Sequence, residues 1–113
     1  MKSKIALAFE NCKKEKRAAL ITYTVAGDNT KNNSLKILNK ISKHADILEL
    51  GFPHNTPIAD GGQIQGSSHR ALKNGIKLKD VFASSFKSAY FQVTQLKQPA
   101  LFLRINKTAS ANC

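Results

Sequence analysis

One stretch constrains this chain more than any other: Ala45–Gln65, ADILELGFPHNTPIADGGQIQ. It opens with a short apolar run, Ile47-Leu48-Glu49-Leu50, that carries a carboxylate in its middle. Gly51 follows, then a loop bounded by Pro53 and Pro57, then Asp60 and the pair Gly61-Gly62. Bounded apolar runs of this length read as buried strands, and Gly/Pro clusters read as the loops that leave them. A glutamate is out of place in a buried strand unless something there needs it. A strand that ends in a carboxylate, followed by a constrained loop bearing a second one, is how α/β enzymes present acid and base groups.

The flanking sequence supplies alternating helices and strands. Ile5, Leu7, Ala8, Phe9 and Cys12 recur at mostly helical spacing and predict a helix over 3–16. Ala18–Val25 is β-branched and apolar and predicts the first strand. Ala26-Gly27-Asp28-Asn29 is a turn. Asn33 or Ser34 then caps a helix over 34–44, with Leu35, Ile37, Leu38, Ile41 and Ala45 as its inner face. His44, in the last turn of that helix, reads as a capping or surface residue. Asp46–Leu50 is the second strand, and Gln63–Asn74 a helix with Ile64, Ala71 and Leu72 inward. A further helix is expected over 79–91, and Pro99–Leu103 suits a third strand. This order argues for a parallel sheet with right-handed crossovers.

Composition narrows the function classes. The 113 residues carry 18 basic and 7 acidic side chains, a net charge of +11. That balance favours anionic partners. However, the cations are spread along the chain, apart from Lys13-Lys14-Glu15-Lys16-Arg17, and no RNP motif, zinc finger or basic heptad region accompanies them. No nucleic-acid partner is therefore expected, and a basic nucleic-acid-binding module ranks last among the functional readings. Cys12 and Cys113 stand at opposite ends and make neither a disulfide framework nor a metal site; both read as free thiols of a reducing cytoplasm. No metal ligand set is apparent. The apolar piece Ile5–Phe9 is too short for a signal peptide, and no membrane span is expected.

Glu49-Leu50-Gly51, the Pro53–Pro57 loop, Ala59-Asp60-Gly61 and Ile64-Gln65 together resemble the α subunit of tryptophan synthase. The resemblance extends upstream to Ala19-Leu20-Ile21 and Ala26-Gly27-Asp28, and downstream to Arg70-Ala71-Leu72, Asn74-Gly75 and Asp80-Val81-Phe82. It implies an α/β fold, the N-terminal portion of a (β/α)₈ TIM barrel. A complete barrel takes roughly 250 residues, so an incomplete barrel is expected, a single partial domain over 1–113. Residues 1–88 are family-like, and 89–113 form a divergent tail with no acidic residue. The mismatch in length points to a truncated or frame-shifted reading of a longer gene.

The resemblance also implies a chemistry. The family's α subunit cleaves indole-3-glycerol phosphate to indole and glyceraldehyde 3-phosphate, a retro-aldol step of cytoplasmic tryptophan biosynthesis. Glu49 matches its catalytic glutamate, a proton-transfer group, and Asp60 the carboxylate that accepts the indole N–H. Considered alone, Glu49 also suits a buried ion pair, and Asp60 a turn or helix cap. Tyr23 matches an aromatic that lines the indole pocket, and plain core packing suits it equally. Pro53, His54, Asn55, Thr56 and Pro57 match the loop that contacts the β subunit, with Thr56 where an acid is common. Pyridoxal phosphate belongs to that β subunit, so no cofactor is expected here. Little turnover is expected from so short a chain. The main alternative is a non-catalytic α/β fragment that self-associates through its open edge.

Overall fold

A computed structural model describes residues 1–55, 60–83 and 100–104. Helix α1 spans Lys4–Lys14, with the Ser3 hydroxyl accepting from the Ala6 N–H at 3.1 Å and Lys13 and Lys14 in the last turn. Strand β1 is Ile21–Val25, helix α2 Lys31–Ile41, strand β2 Ile47–Gly51, helix α3 Gly62–Lys73 and strand β3 Ala100–Arg104. Residues 78–83 are also helical. The strands lie in the order β1-β2-β3, all parallel. This is the architecture expected from the alternation of elements, and β3 is the expected third strand. The rest of the helix expected over 79–91, and Cys113, lie outside the described residues.

Two local expectations change. Helix α2 is capped by Thr30, whose hydroxyl accepts from the Asn33 N–H at 3.1 Å, and not by Asn33 or Ser34. Asn29 adopts a left-handed φ of 68°, which ends the turn early and lets the helix start at Lys31. The Ser34 hydroxyl instead accepts from the Gly27 N–H at 3.0 Å, tying the helix to the preceding turn. Ile37 is not on the inner face: it is 49% exposed, whereas Leu38 beside it is buried. Adjacent helical positions are about 100° apart, so only one of the two can point at the sheet.

The core is Val25, Leu38, Ala45, Leu48, Leu50, Ala71, Ile76 and Val81, with Ile41, Ile64 and Leu72 packed against it. Leu48 and Leu50 alternate with Glu49 and therefore share the face opposite to it. Gly27 is demanded twice over. Its φ is +81°, and a Cβ there would meet Ile76 Cδ1 at 2.7 Å.

The register of the sheet is set at its lower end by one buried carboxylate. Asp46 receives both terminal nitrogens of Arg17, at 2.7 and 2.8 Å, and the Leu20 N–H at 2.9 Å. The Leu20 carbonyl in turn accepts from the N–H groups of Asp46 and Ile47. The tail of α1, the entry to β1 and the entry to β2 thus meet on one side chain. Cys12 is buried beside this cluster, and burial pushes its thiol above the ordinary value, so it is a packing residue and not a nucleophile. Replacing Asp46 with Ala should strand the Arg17 guanidinium and unpin β1. We expect a fall in Tm of roughly 10 °C by calorimetry. Arg17→Lys, which keeps the charge but loses the fork, should give a smaller fall.

Candidate active site at the carboxyl end of the sheet

In a parallel sheet the loops that follow the strands all leave from one end, which here holds Val25 and Gly51. Glu49 lies two residues before that end on β2. It is half-buried and pairs in register with Tyr23 on one side and residue 102 on the other. Tyr23 and Glu49 therefore stand side by side on one face. The Tyr23 ring crosses the β2 backbone at Gly51, where an added Cβ would fall 2.6 Å from Cζ and overlap the hydroxyl. The glycine that follows the glutamate is thus the space in which the aromatic lies.

The loop after β2 begins with Phe52 packed on the core and Pro53 fully buried. His54 is half-buried, with its Nδ1 enclosed and no hydrogen bond among the described residues, and Asn55 is exposed. Thr56 and Pro57 lie outside the described residues. The chain returns at Asp60, half-buried, immediately before α3. The cap of α3 is Gly61, which makes no side-chain cap bond, so Asp60 is not the helix cap. Its backbone carbonyl accepts from the Gln65 amide at 2.7 Å. Gln65 anchors the loop while Ile64 beside it packs on the core, which gives the Ile64-Gln65 pair a structural meaning.

A network that sequence reasoning did not foresee, joining Asp28, Ser67 and Arg70, holds α3 in place. Asp28, on the loop after β1, accepts from the Ser67 hydroxyl at 2.6 Å and from Arg70 Nε and Nη2 at 2.7 and 2.9 Å. Asn74 adds a bond to the Asn29 carbonyl. The available signal was Ser67, a small polar residue one helical turn before Ala71 on the inward face, followed three residues later by Arg70. The Arg70 guanidinium, helped by the Ser67 hydroxyl, holds the Asp28 carboxyl below the usual range against a burial effect that opposes it. A cleft of about 830 Å³ adjoins this network, lined by Tyr23, Thr24, Ile37, Ile64 and Arg70 among others. Of the expected site residues the cleft takes in Tyr23; Glu49 and Asp60 do not line it.

Comparison with known proteins decides the family. Residues 9–103 match the model of the tryptophan synthase alpha chain. The chain belongs to that family. The tryptophan synthase alpha chain of Pelagibacter ubique is 72% identical over 81 residues, which are 72% of this chain and 31% of the relative. The alpha chain of Nitrosomonas europaea is 37% identical over 102 residues, 89% of this chain and 36% of the relative. The solved alpha subunit of Legionella pneumophila superposes with a TM-score of 0.76 at 27% identity, covering 99% of this chain and 42% of that one. The matched part thus spans about a third of the curated relatives. The described strands and helices are the N-terminal part of the family's (β/α)₈ barrel. Among the described residues no group of acidic, His and Cys side chains can hold a metal ion, and no helix is long and apolar enough to cross a membrane.

Two measurements check this site. Gly51→Ala should displace the Tyr23 ring and cost about 1–3 kcal/mol by urea denaturation, as an overpacked position does. The depressed Asp28 carboxyl stabilises the fold above its ordinary titration range. That contribution should be lost as pH falls through the lower, folded value. Asp28→Asn should remove this part of the acid sensitivity, seen as a flatter urea midpoint against pH below about pH 4.

Proposed function

We propose that this chain carries the proton-transfer half of a tryptophan synthase α-type lyase site. The reaction is retro-aldol cleavage of indole-3-glycerol phosphate to indole and glyceraldehyde 3-phosphate. The observation that carries this reading is the register of β1 on β2, which sets Tyr23 beside Glu49 at the carboxyl end of a parallel sheet, where barrels of this kind keep their chemistry.

The steps require few groups. An acid protonates the indole ring carbon that bears the side chain, and positive charge develops on the ring nitrogen. A base takes the proton of the adjacent side-chain hydroxyl. The C–C bond then breaks: the oxygen becomes the aldehyde of glyceraldehyde 3-phosphate and the bonding pair returns to the ring, releasing indole. Glu49 is the proton-transfer group. Asp60 accepts the ring N–H and balances the charge on the nitrogen. The Tyr23 ring offers a flat face to the indole. The family match and the half-burial of both carboxylates support these roles.

The finer features follow from the same reading. The 53–57 loop faces the β subunit, pyridoxal phosphate stays with that subunit, and the chain works in the cytoplasm without a cofactor of its own. Three described strands do not close a barrel, so the 113-residue chain alone should release no indole above background. The test places residues 9–83 of this chain into the full-length Pelagibacter ubique relative. Glu49→Gln or Asp60→Asn in that chimera should lower kcat for indole release by roughly 10²–10⁴-fold. Retention of full activity by both variants would overturn the assignment.

A further inference from the structure

The apolar grip on α3 is thin. Its buried residues are Ser67, Ser68 and Ala71, with Ile64 and Leu72 partly buried against the core. Its N-cap, Gly61, makes no side-chain cap bond. Apolar burial is non-directional, so a face this small does not fix where the helix lies along its own axis.

The directional contacts that do fix it converge on the loop after β1. Gly27 and Asn29 have left-handed backbone, with φ of 81° and 68°, and they flank Asp28. The Asp28 carboxylate takes the Ser67 hydroxyl at 2.6 Å and Arg70 Nε and Nη2 at 2.7 and 2.9 Å. The Asn29 carbonyl accepts from the Asn74 side chain. Ile76 lies where a Cβ on Gly27 would fall. Lys31, at the start of α2, reaches Asp80 at 2.9 Å. Gly27, Asp28, Asn29 and Lys31 are thus all tied to the segment 67–80. Several donors on one carboxylate, in fork geometry, give strength and directional precision together.

This clasp leads to Asp60. The covalent route from the sheet to Asp60 leaves β2 at Gly51 and runs the length of the following loop. The route through the clasp is more direct. Asp28 stands just beyond the end of β1 at Val25 and holds Ser67 itself. One turn nearer the start of α3, the Gln65 side chain grips the Asp60 carbonyl at 2.7 Å, and the Gln65 N–H donates to the Gly61 carbonyl at 3.0 Å. β1 also carries Tyr23 beside Glu49. The strand that sets the aromatic against Glu49 therefore also sets the helix that presents Asp60.

We infer that Asp28, through Ser67 and Arg70, is a positioning residue of the proposed lyase site: it fixes α3 on β1 so that the Asp60 carboxylate meets the indole N–H while Glu49 transfers the proton. Asp28 acts through the helix and not on the substrate. The inference rests on the catalytic reading of Asp60. A small misplacement of a catalytic group is costly in rate. Asp60 balances charge that develops only as the ring is protonated, so the loss falls on kcat more than on KM.

The test is a double-mutant cycle in the full-length chimera that carries residues 9–83 of this chain, assayed well below the Tm of each variant. Asp28→Asn should lower kcat for indole release about tenfold or more, with KM changed less than about threefold. In an Asp60→Asn background the same substitution should cost less than about twofold, because the group it positions is gone. Hydrogen exchange should speed at the Gln65 amide in Asp28→Asn and stay unchanged along β2. Ser67→Ala removes one donor and should give a smaller loss of the same kind; it carries the test if Asp28→Asn does not fold. Equal losses with and without the Asp60 carboxylate, or a loss confined to KM, would overturn the inference and leave the role of Asp60 standing. Full activity of Asp60→Asn would overturn the catalytic reading, and the inference with it.

Discussion

The structure depends on Asp46. Its carboxylate is nearly buried, and it holds the Arg17 fork and the Leu20 N–H at once. The consequence appears several residues further along. With Leu20 locked to Asp46, Ile21 must pair with Ile47, and two residues on Tyr23 must pair with Glu49. A slip of one residue would turn Glu49 away from Tyr23 and drive Leu48 and Leu50 out of the core. One ion pair at the bottom of the sheet therefore decides which side chains meet at the top.

A second carboxylate does the same work at the other end. Asp28 ties α3 to the loop after β1 through Ser67 and Arg70, and Gln65 ties the first turn of α3 to Asp60. Asp60 is thus held by its backbone while its side chain is not used as the helix cap. The chain is strongly basic, but its few acids are placed with purpose: Asp28, Asp46 and Asp80 each join elements distant in sequence. Such pairs are weak individually at the surface. They are stronger here where a carboxylate is buried and receives several donors, as Asp46 does.

Much of the fold was legible because its signals are local. The 47–50 run is apolar and bounded, the α3 segment has inward residues at helical spacing, and Gly75 with φ +74° follows the end of α3. The cap of α2 was misplaced because the left-handed backbone of Asn29 is not written in propensity. Ile37 was assigned inward because composition does not distinguish the core-facing residue from its neighbour at the flank of the helix. The contact of Asp28 with Ser67 and Arg70 was not legible because Asp28 lies about 40 residues from both partners and no local pattern joins them.

By itself, the chain's order of residues determined the succession of helices and strands, the parallel class of the sheet and the family, because periodicity and a dense local motif are properties of neighbours along the chain. Only the tertiary structure decided that Gly51 makes room for Tyr23, that Gly61 and not Asp60 caps α3, and that β1 pairs with β2 alone among the described strands. Those facts depend on which strand lies against which and in what register. Register is set by hydrogen bonds between residues far apart in sequence, such as Leu20 and Asp46, and no stretch of either partner contains that information alone.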